Sequence, residues 1–148
     1  SMIMHHLIGQ GLDVSEYSSS DIKKAESVLN RFYEWERQHT LEGILIETPL
    51  VSERYKYGGT PDWYGLLDGI YTVIDLKTSK DIYEEMICQI ATYRQLLIEN
   101  GHKVKSMKIL RIGRDETEGF DEKTIYDYKT GWQIFKHCLA IYNLKKKI

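Results

Sequence analysis

The chain has 148 residues, 42% hydrophobic and 28% charged, a soluble globular composition long enough for one domain that buries ~68–70% of its unfolded surface. Its net charge of −2 excludes a broadly cationic nucleic-acid binder held by phosphate contacts alone. It does not exclude an enzyme whose bound metal supplies positive charge at the site itself.

In chain order, Ser1 ahead of Met2 reads as an addition to the natural start. Residues 3–12 form a short candidate helix with Ile8 and Leu12 on one face, weakened by Gly9 and Gly11. Ser18-Ser19-Ser20 is a loop ending in a helix cap. From Asp21 to about His39, apolar residues recur at Ile22, Ala25, Val28, Leu29, Phe32 and Trp35, a helical stripe. Ile44 to Val51 reads as a strand carrying Glu47 and interrupted by Pro49. Ser52 to Tyr57 alternates charged and aromatic residues and continues toward a hairpin.

That hairpin is the most informative stretch of the chain. Asp68-Gly69 is a strong two-residue turn signal, because both residues tolerate positive φ. With Leu67 facing Ile70, counting outward sets Asp62 opposite Asp75. Side chains alternate along a strand, so Lys77 joins Asp75 on the same face. The two carboxylates then have Cβ atoms about 4.5–5.5 Å apart. Like charges so placed destabilise a hairpin unless something neutralises them, and a divalent cation meets that need.

Beyond Lys77, Asp81 with Glu84 three residues later predicts a capping box, and Gly101 a helix stop. Between them Ile82, Met86, Ile90, Tyr93 and Leu97 mark a buried helix face. Met107 to Arg114 and Thr124 to Tyr128 are predicted strands, with an acidic loop over 115–119 between them. A last helix runs from about Gly131 to Lys147, packing Trp132, Phe135, Leu139 and Tyr142. This order predicts a mixed α/β fold in a single domain over 1–148, with a central mixed sheet flanked by helices. Cys88 and Cys138 lack metal-site spacing and read as buried free thiols of a reducing cytosol. No apolar run approaches the ~18 residues of a membrane span, and no signal peptide is visible. A cytoplasmic protein without a membrane partner is the expectation.

Pro61-Asp62, twelve residues, then Asp75-Leu76-Lys77 resembles the PD-(D/E)xK nuclease superfamily. Gly59-Thr60-Pro61-Asp62, Asp75-Leu76-Lys77-Thr78-Ser79 and Gln89-Ile90-Ala91-Thr92-Tyr93 are similar to successive motifs of its RecB-like and phage-exonuclease branch. The resemblance covers about residues 43–98, and the rest by element order alone. It implies a restriction-endonuclease-like core and metal-dependent hydrolysis of DNA phosphodiesters, in an exonuclease of recombination, repair or phage replication. The implied partners are single- or double-stranded DNA ends, with a homo-oligomer or a larger recombination complex as possible settings. A non-cleaving nucleic-acid-binding or assembly module of the same fold is the alternative from another class. A nuclease acting on RNA or branched structures is a third reading.

Mg²⁺ and Mn²⁺ take hard oxygen ligands, typically one or two carboxylates with water and substrate phosphate. Asp62 and Asp75 would supply those carboxylates, and the resemblance adds the Leu76 carbonyl. Lys77 is placed to orient or deprotonate a water and to offset charge on the phosphate. Glu47 lies where related sequences carry an acid, as a third ligand or through water; a solvated strand glutamate is the competing reading. The branch also carries a metal-binding histidine on an N-terminal helix. His5-His6-Leu7-Ile8 resembles that segment, with His5 the better match. His39, His102 and His137 read as surface residues. Gln89 and Tyr93, four apart, share a helix face; in the family they lie beside the metal, although core packing would also account for Tyr93. Thr78 and Ser79 either donate to a phosphate or lead into the helix. Arg54-Tyr55-Lys56-Tyr57 interleaves cations and rings as single-strand binding surfaces do, or as a strand edge kept soluble by charge.

Overall fold

In the computed structural model, which describes residues 19–115 and 117–148, helix α1 (Ser19–Arg37) presents Leu29, Phe32 and Trp35 on one stripe. It is followed by β1 (Leu41–Ile46), β2 (Leu50–Ser52), β3 (Tyr57–Gly59), β4 (Trp63–Leu67) and β5 (Ile70–Thr78). Then come α2 (Glu84–Glu99), β6 (Ser106–Ile112), β7 (Phe120–Thr124) and α3 (Tyr128–Lys145). The central sheet has the order β1-β4-β5-β6-β7, and β2 pairs with β3 separately. Only β5 and β6 are parallel; the other neighbours in the central sheet are antiparallel. A parallel pair needs a crossover connection, and α2 provides it. The expected mixed sheet flanked by helices is what forms.

Alternation along the strands divides the core in two. Trp63, Leu67, Ile74, Leu110 and Ile112 face α1, where they meet Leu29, Phe32 and Trp35. Tyr64, Val73, Met107, Ile109 and Ile125 face the other way, against Ile90 and Leu97 of α2. Helices α2 and α3 pack closely because Gly131 has no side chain. A Cβ there would lie 3.3 Å from the Cβ of Ala91.

The β4–β5 hairpin has the predicted register, with Trp63 facing Ile74 and Leu67 facing Ile70. Asp68 and Gly69 take φ of 52° and 79°, as the type I′ turn requires. Asp68 also ties the turn to the end of α1. Its Oδ1 accepts the Thr40 N–H at 2.8 Å, and its Oδ2 lies 2.6 Å from Nδ1 of His39. His39, expected as a surface residue, thus helps to hold the turn through an exposed contact.

Other boundaries differ from the expectation. The stretch expected as one strand from Ile44 to Val51 divides into β1 and β2, with Glu47 between them at φ 47°. Residues 53–56 turn back into β3 and do not run on toward the main hairpin. No capping box forms at Asp81; Tyr83 holds the cap position, and the Asp81 carboxylate accepts the adjacent Ile82 N–H at 3.0 Å. The other end of α2 behaves as expected. Gly101 takes φ 87°, and the N–H groups of Gly101 and His102 close on Ile98 and Leu97 carbonyls, a Schellman cap. Strand β7 precedes the predicted Thr124–Tyr128, and α3 begins three residues before Gly131, where Asp127 accepts the Thr130 N–H at 3.0 Å. The candidate helix over residues 3–12, with His5 and His6, lies outside the described residues.

One irregularity shapes the edge of the sheet. Gly43 pairs with Gly65 but Leu45 pairs with Tyr64, so Ile44 is an extra residue, a β-bulge. The bulge shifts the register by one and carries Glu47 opposite Asp62, whose carbonyl accepts the Glu47 N–H at 3.0 Å. It also brings the two strands so close at Gly65 that a Cβ there would collide with the Glu42 carbonyl. Gly65→Ala should therefore destabilise the protein by at least about 1–3 kcal/mol, as overpacking does. Chemical denaturation would check this; an alanine variant as stable as wild type would mean that the bulge is not held by that close approach.

Candidate active site

The hairpin register and the period of two place Asp62, Asp75 and Lys77 on the face that looks toward α2. By the same register Pro61 faces Leu76, and proline has no N–H with which to continue the ladder. The Leu76 N–H is taken instead by the Asp62 side chain, whose Oδ2 accepts it at 2.7 Å. A strand residue turns its N–H and C=O to the same side, so the Leu76 carbonyl also points toward Asp62, where Pro61 offers it no donor.

Asp75 is 1% exposed, deep beneath α2. Its Oδ2 lies 3.2 Å from Nζ of Lys77 as an ion pair, yet among the described residues it takes part in no hydrogen bond. Burial, and then the Asp62 carboxyl beside it, push the Asp75 carboxyl up to about 7, while Lys77 works in the opposite direction. Lys77 donates to Oε1 of Gln89 at 2.5 Å, so α2 aims the amine. One turn on, Tyr93 is half-buried beside Gly59, where a Cβ would sit 3.0 Å from its ring. Burial and the charges of Asp75 and Asp62 push its hydroxyl up to about 12, which keeps it a neutral phenol. Asp62, Asp75, Lys77, Gln89 and Tyr93 thus converge from two strands and one helix.

The other candidates stand apart. Glu47 reaches Asp62 through its backbone, but it is exposed. Among the described residues no group of three or more His, Cys, Asp or Glu side chains is close enough to hold an ion. His5 lies outside the described residues. Ser79 donates its hydroxyl to the Asp81 carbonyl at 2.7 Å, in the lead into α2. Tyr55 and Tyr57 pack against Trp132 and Phe135, and Arg54 sits over the Tyr55 ring.

Sequence reasoning passed over Arg111, which is 4% exposed and neighbours Lys77 across the parallel ladder. It donates to Oδ2 of Asp121 and, at 3.0 Å, to the carbonyl of Ser79. It thereby fixes the backbone two residues after Lys77. A lone arginine within Ile109-Leu110-Arg111-Ile112 was the available signal, since a charge is rarely buried unless it is paired.

The layered α/β fold thus sets two opposed acids and a lysine on one face of its sheet. The sequence matches no family model and no curated protein. Among solved structures it is similar to a crystal structure from Eubacterium rectale named "putative exonuclease", with a TM-score of 0.64 at 14% identity. The match covers 97% of this chain and 62% of that one, so the chain spans under two thirds of its structural neighbour. At that identity the likeness is one of fold.

The buried acid has a consequence for stability. A solvated aspartate titrates near ~3.9, whereas Asp75 in the folded protein titrates at about 7. Between those values the native state holds a proton that the unfolded chain has lost. Stability in EDTA should therefore fall as pH rises from about 4 to about 7. Asp75→Asn should remove that slope and raise the melting midpoint at pH 8 by at least about 2–4 °C, near 1 kcal/mol for a chain of this size. Calorimetry across pH checks it; an asparagine variant that melts lower than wild type would contradict the burial argument.

Proposed function

We propose that the protein is a metal-dependent nuclease that hydrolyses DNA phosphodiesters, an exonuclease of the RecB-like type acting in recombination, repair or phage replication. The observation that carries this reading is the buried Asp75 carboxyl set beside Asp62, with the Lys77 amine, held by Gln89, as its ion-pair partner. Two neighbouring carboxyls with one lysine between them leave negative charge that a bound cation would balance. Two carboxylates, with the Leu76 carbonyl that the resemblance adds, suit Mg²⁺ or Mn²⁺, which retain several waters and need no complete protein cage. A non-cleaving module would gain nothing from the opposed acids.

Asp62, Asp75 and the Leu76 carbonyl are the residues that would hold the ion. When bound, it supplies Lewis acidity at a phosphoryl oxygen. Lys77, as an ammonium, would offset the charge that builds on the attacked phosphate and orient the nucleophilic water by donating to it. Gln89 fixes the Lys77 amine against rotation. Tyr93 walls the site and stays protonated, so it adds no further negative charge near the phosphate. Arg111 holds the strand end from which Lys77 projects.

Labelled single- and double-stranded DNA incubated with Mg²⁺, Mn²⁺ or EDTA tests the reading. Cleavage is expected with either metal and absent in EDTA. Asp75→Asn should abolish it with the fold retained, and Lys77→Met should slow it by about 10²-fold or more, the usual cost of removing one group that stabilises transition-state charge. Cleavage by Asp75→Asn at the wild-type rate would remove the central ligand from the mechanism.

The same reading assigns His5 to the ion as a ligand from the N-terminal segment. Imidazole must be neutral to bind, so Mn²⁺ affinity should weaken as pH falls through about 6.5. In isothermal titration, His5→Ala should lower Mn²⁺ affinity and His6→Ala should not. Equal affinities in wild type and both variants would leave Glu47 or water to complete the shell.

A further inference from the structure

Gln89, which holds Lys77, and Tyr93 also face a cavity beside the acidic site. There they form one wall of a cleft of about 670 Å³ between α2, α3 and β3, within the size range of small-molecule sites. Tyr57, Cys88, Phe135, Cys138, Leu139 and Tyr142 line the rest of it. The polar groups of its floor are satisfied internally. Tyr57 donates its hydroxyl to the Thr92 carbonyl at 2.9 Å, and Thr92 donates its own to the Gln89 carbonyl at 2.6 Å. What remains is an apolar interior with aromatic rings on its wall.

Charge decides what such a cleft accepts. Among the described residues no lysine or arginine lines it, and Glu84 and Glu85 stand at its rim. A phosphate would be repelled there. A nucleobase would not, because it offers flat apolar faces to the rings and N–H donors to the carboxylates. The cleft shares Gln89 and Tyr93 with the acidic site, and its wall at Gly59 lies three residues before Asp62, so the cleft adjoins the place where a phosphate would meet the acids. We propose that the cleft between α2, α3 and β3 is a base-binding subsite for the nucleotide adjoining the cleaved bond, a proposal that rests on the nuclease reading above.

The test uses single-stranded DNA in Mg²⁺, with one abasic sugar moved position by position along the strand. Removing the base at a single position beside the cleaved bond should raise KM by roughly tenfold, as the loss of one stacked base does. Cys138→Trp, which narrows the cleft from an exposed position on α3, should raise KM for the intact strand by a similar factor and leave that for the abasic strand unchanged. Equal KM at every abasic position would overturn the proposal while leaving the nuclease reading in place. A second measurement needs no cleavage. In EDTA, deoxyadenosine or thymidine should shift the NMR signals of Cys88 and Leu139, and deoxyribose should not. If no DNA is cut under any condition the nuclease reading fails, and the nucleoside titration still decides whether the cleft takes a base. Absent shifts overturn the proposal, and self-association abolished by Cys138→Trp would give the cleft to a second copy of the chain.

Discussion

Two carboxyls meet across a two-residue hairpin, and the inner one is sealed beneath a helix. Charge in an apolar interior is among the least favourable arrangements a fold can hold, and the surrounding structure is arranged around it. The turn is fixed by positive φ at Asp68 and Gly69 and tied to the end of α1 through His39 and Thr40. Lys77 faces Asp75 from the same strand, Gln89 holds Lys77 from α2, and Arg111 anchors the backbone beyond it. Each contact limits how far the acids can relax away from one another.

How much of this the sequence discloses depends on whether a signal is local. Register in the β4–β5 hairpin follows from a two-residue turn and simple counting, and Asp62, Asp75 and Lys77 come with it. Gln89 and Tyr93 were legible as a helix face, although their meeting with Lys77 rests on a crossover that no local pattern specifies. The bulge at Ile44 escaped because it is a property of a pairing between distant segments; only the two glycines that face one another, Gly43 and Gly65, hinted at close approach. Strand β7 was misplaced because it lies at the sheet edge and reads Phe120-Asp121-Glu122-Lys123-Thr124, with little apolar alternation. Its acids are used across the sheet: Asp121 pairs with Arg111, and Glu122 accepts from Trp35 and Lys108. The start of α2 failed as a capping box because Asp81 spends its carboxylate on its nearest neighbour.

Helix α2 serves three purposes at once. It is the crossover between the parallel strands, it closes one half of the core through Ile90 and Leu97, and it carries Gln89, which holds Lys77, and Tyr93 beside it. Residues with such combined duties tolerate little movement, because a shift that relieves packing also displaces Gln89 from Lys77. The neighbour of similar fold shares only 14% of its residues with this chain. The layered architecture thus withstands extensive sequence change, provided that apolar volume and alternation are kept.

The parallel pairing of β5 with β6 also bears on the order in which the molecule assembles. Pairs such as Leu67 with Ile70 lie close in sequence, whereas Thr72 meets Ser106 only after thirty-four intervening steps along the chain. Hairpins close in microseconds, and pairings of long separation follow later. The acids are therefore brought face to face before α2 and β6 are in place to bury them. While the hairpin stands alone, water still screens their repulsion. The unfavourable part of the site is deferred to the final docking of the helix, so repulsion between the acids should speed unfolding far more than it slows folding.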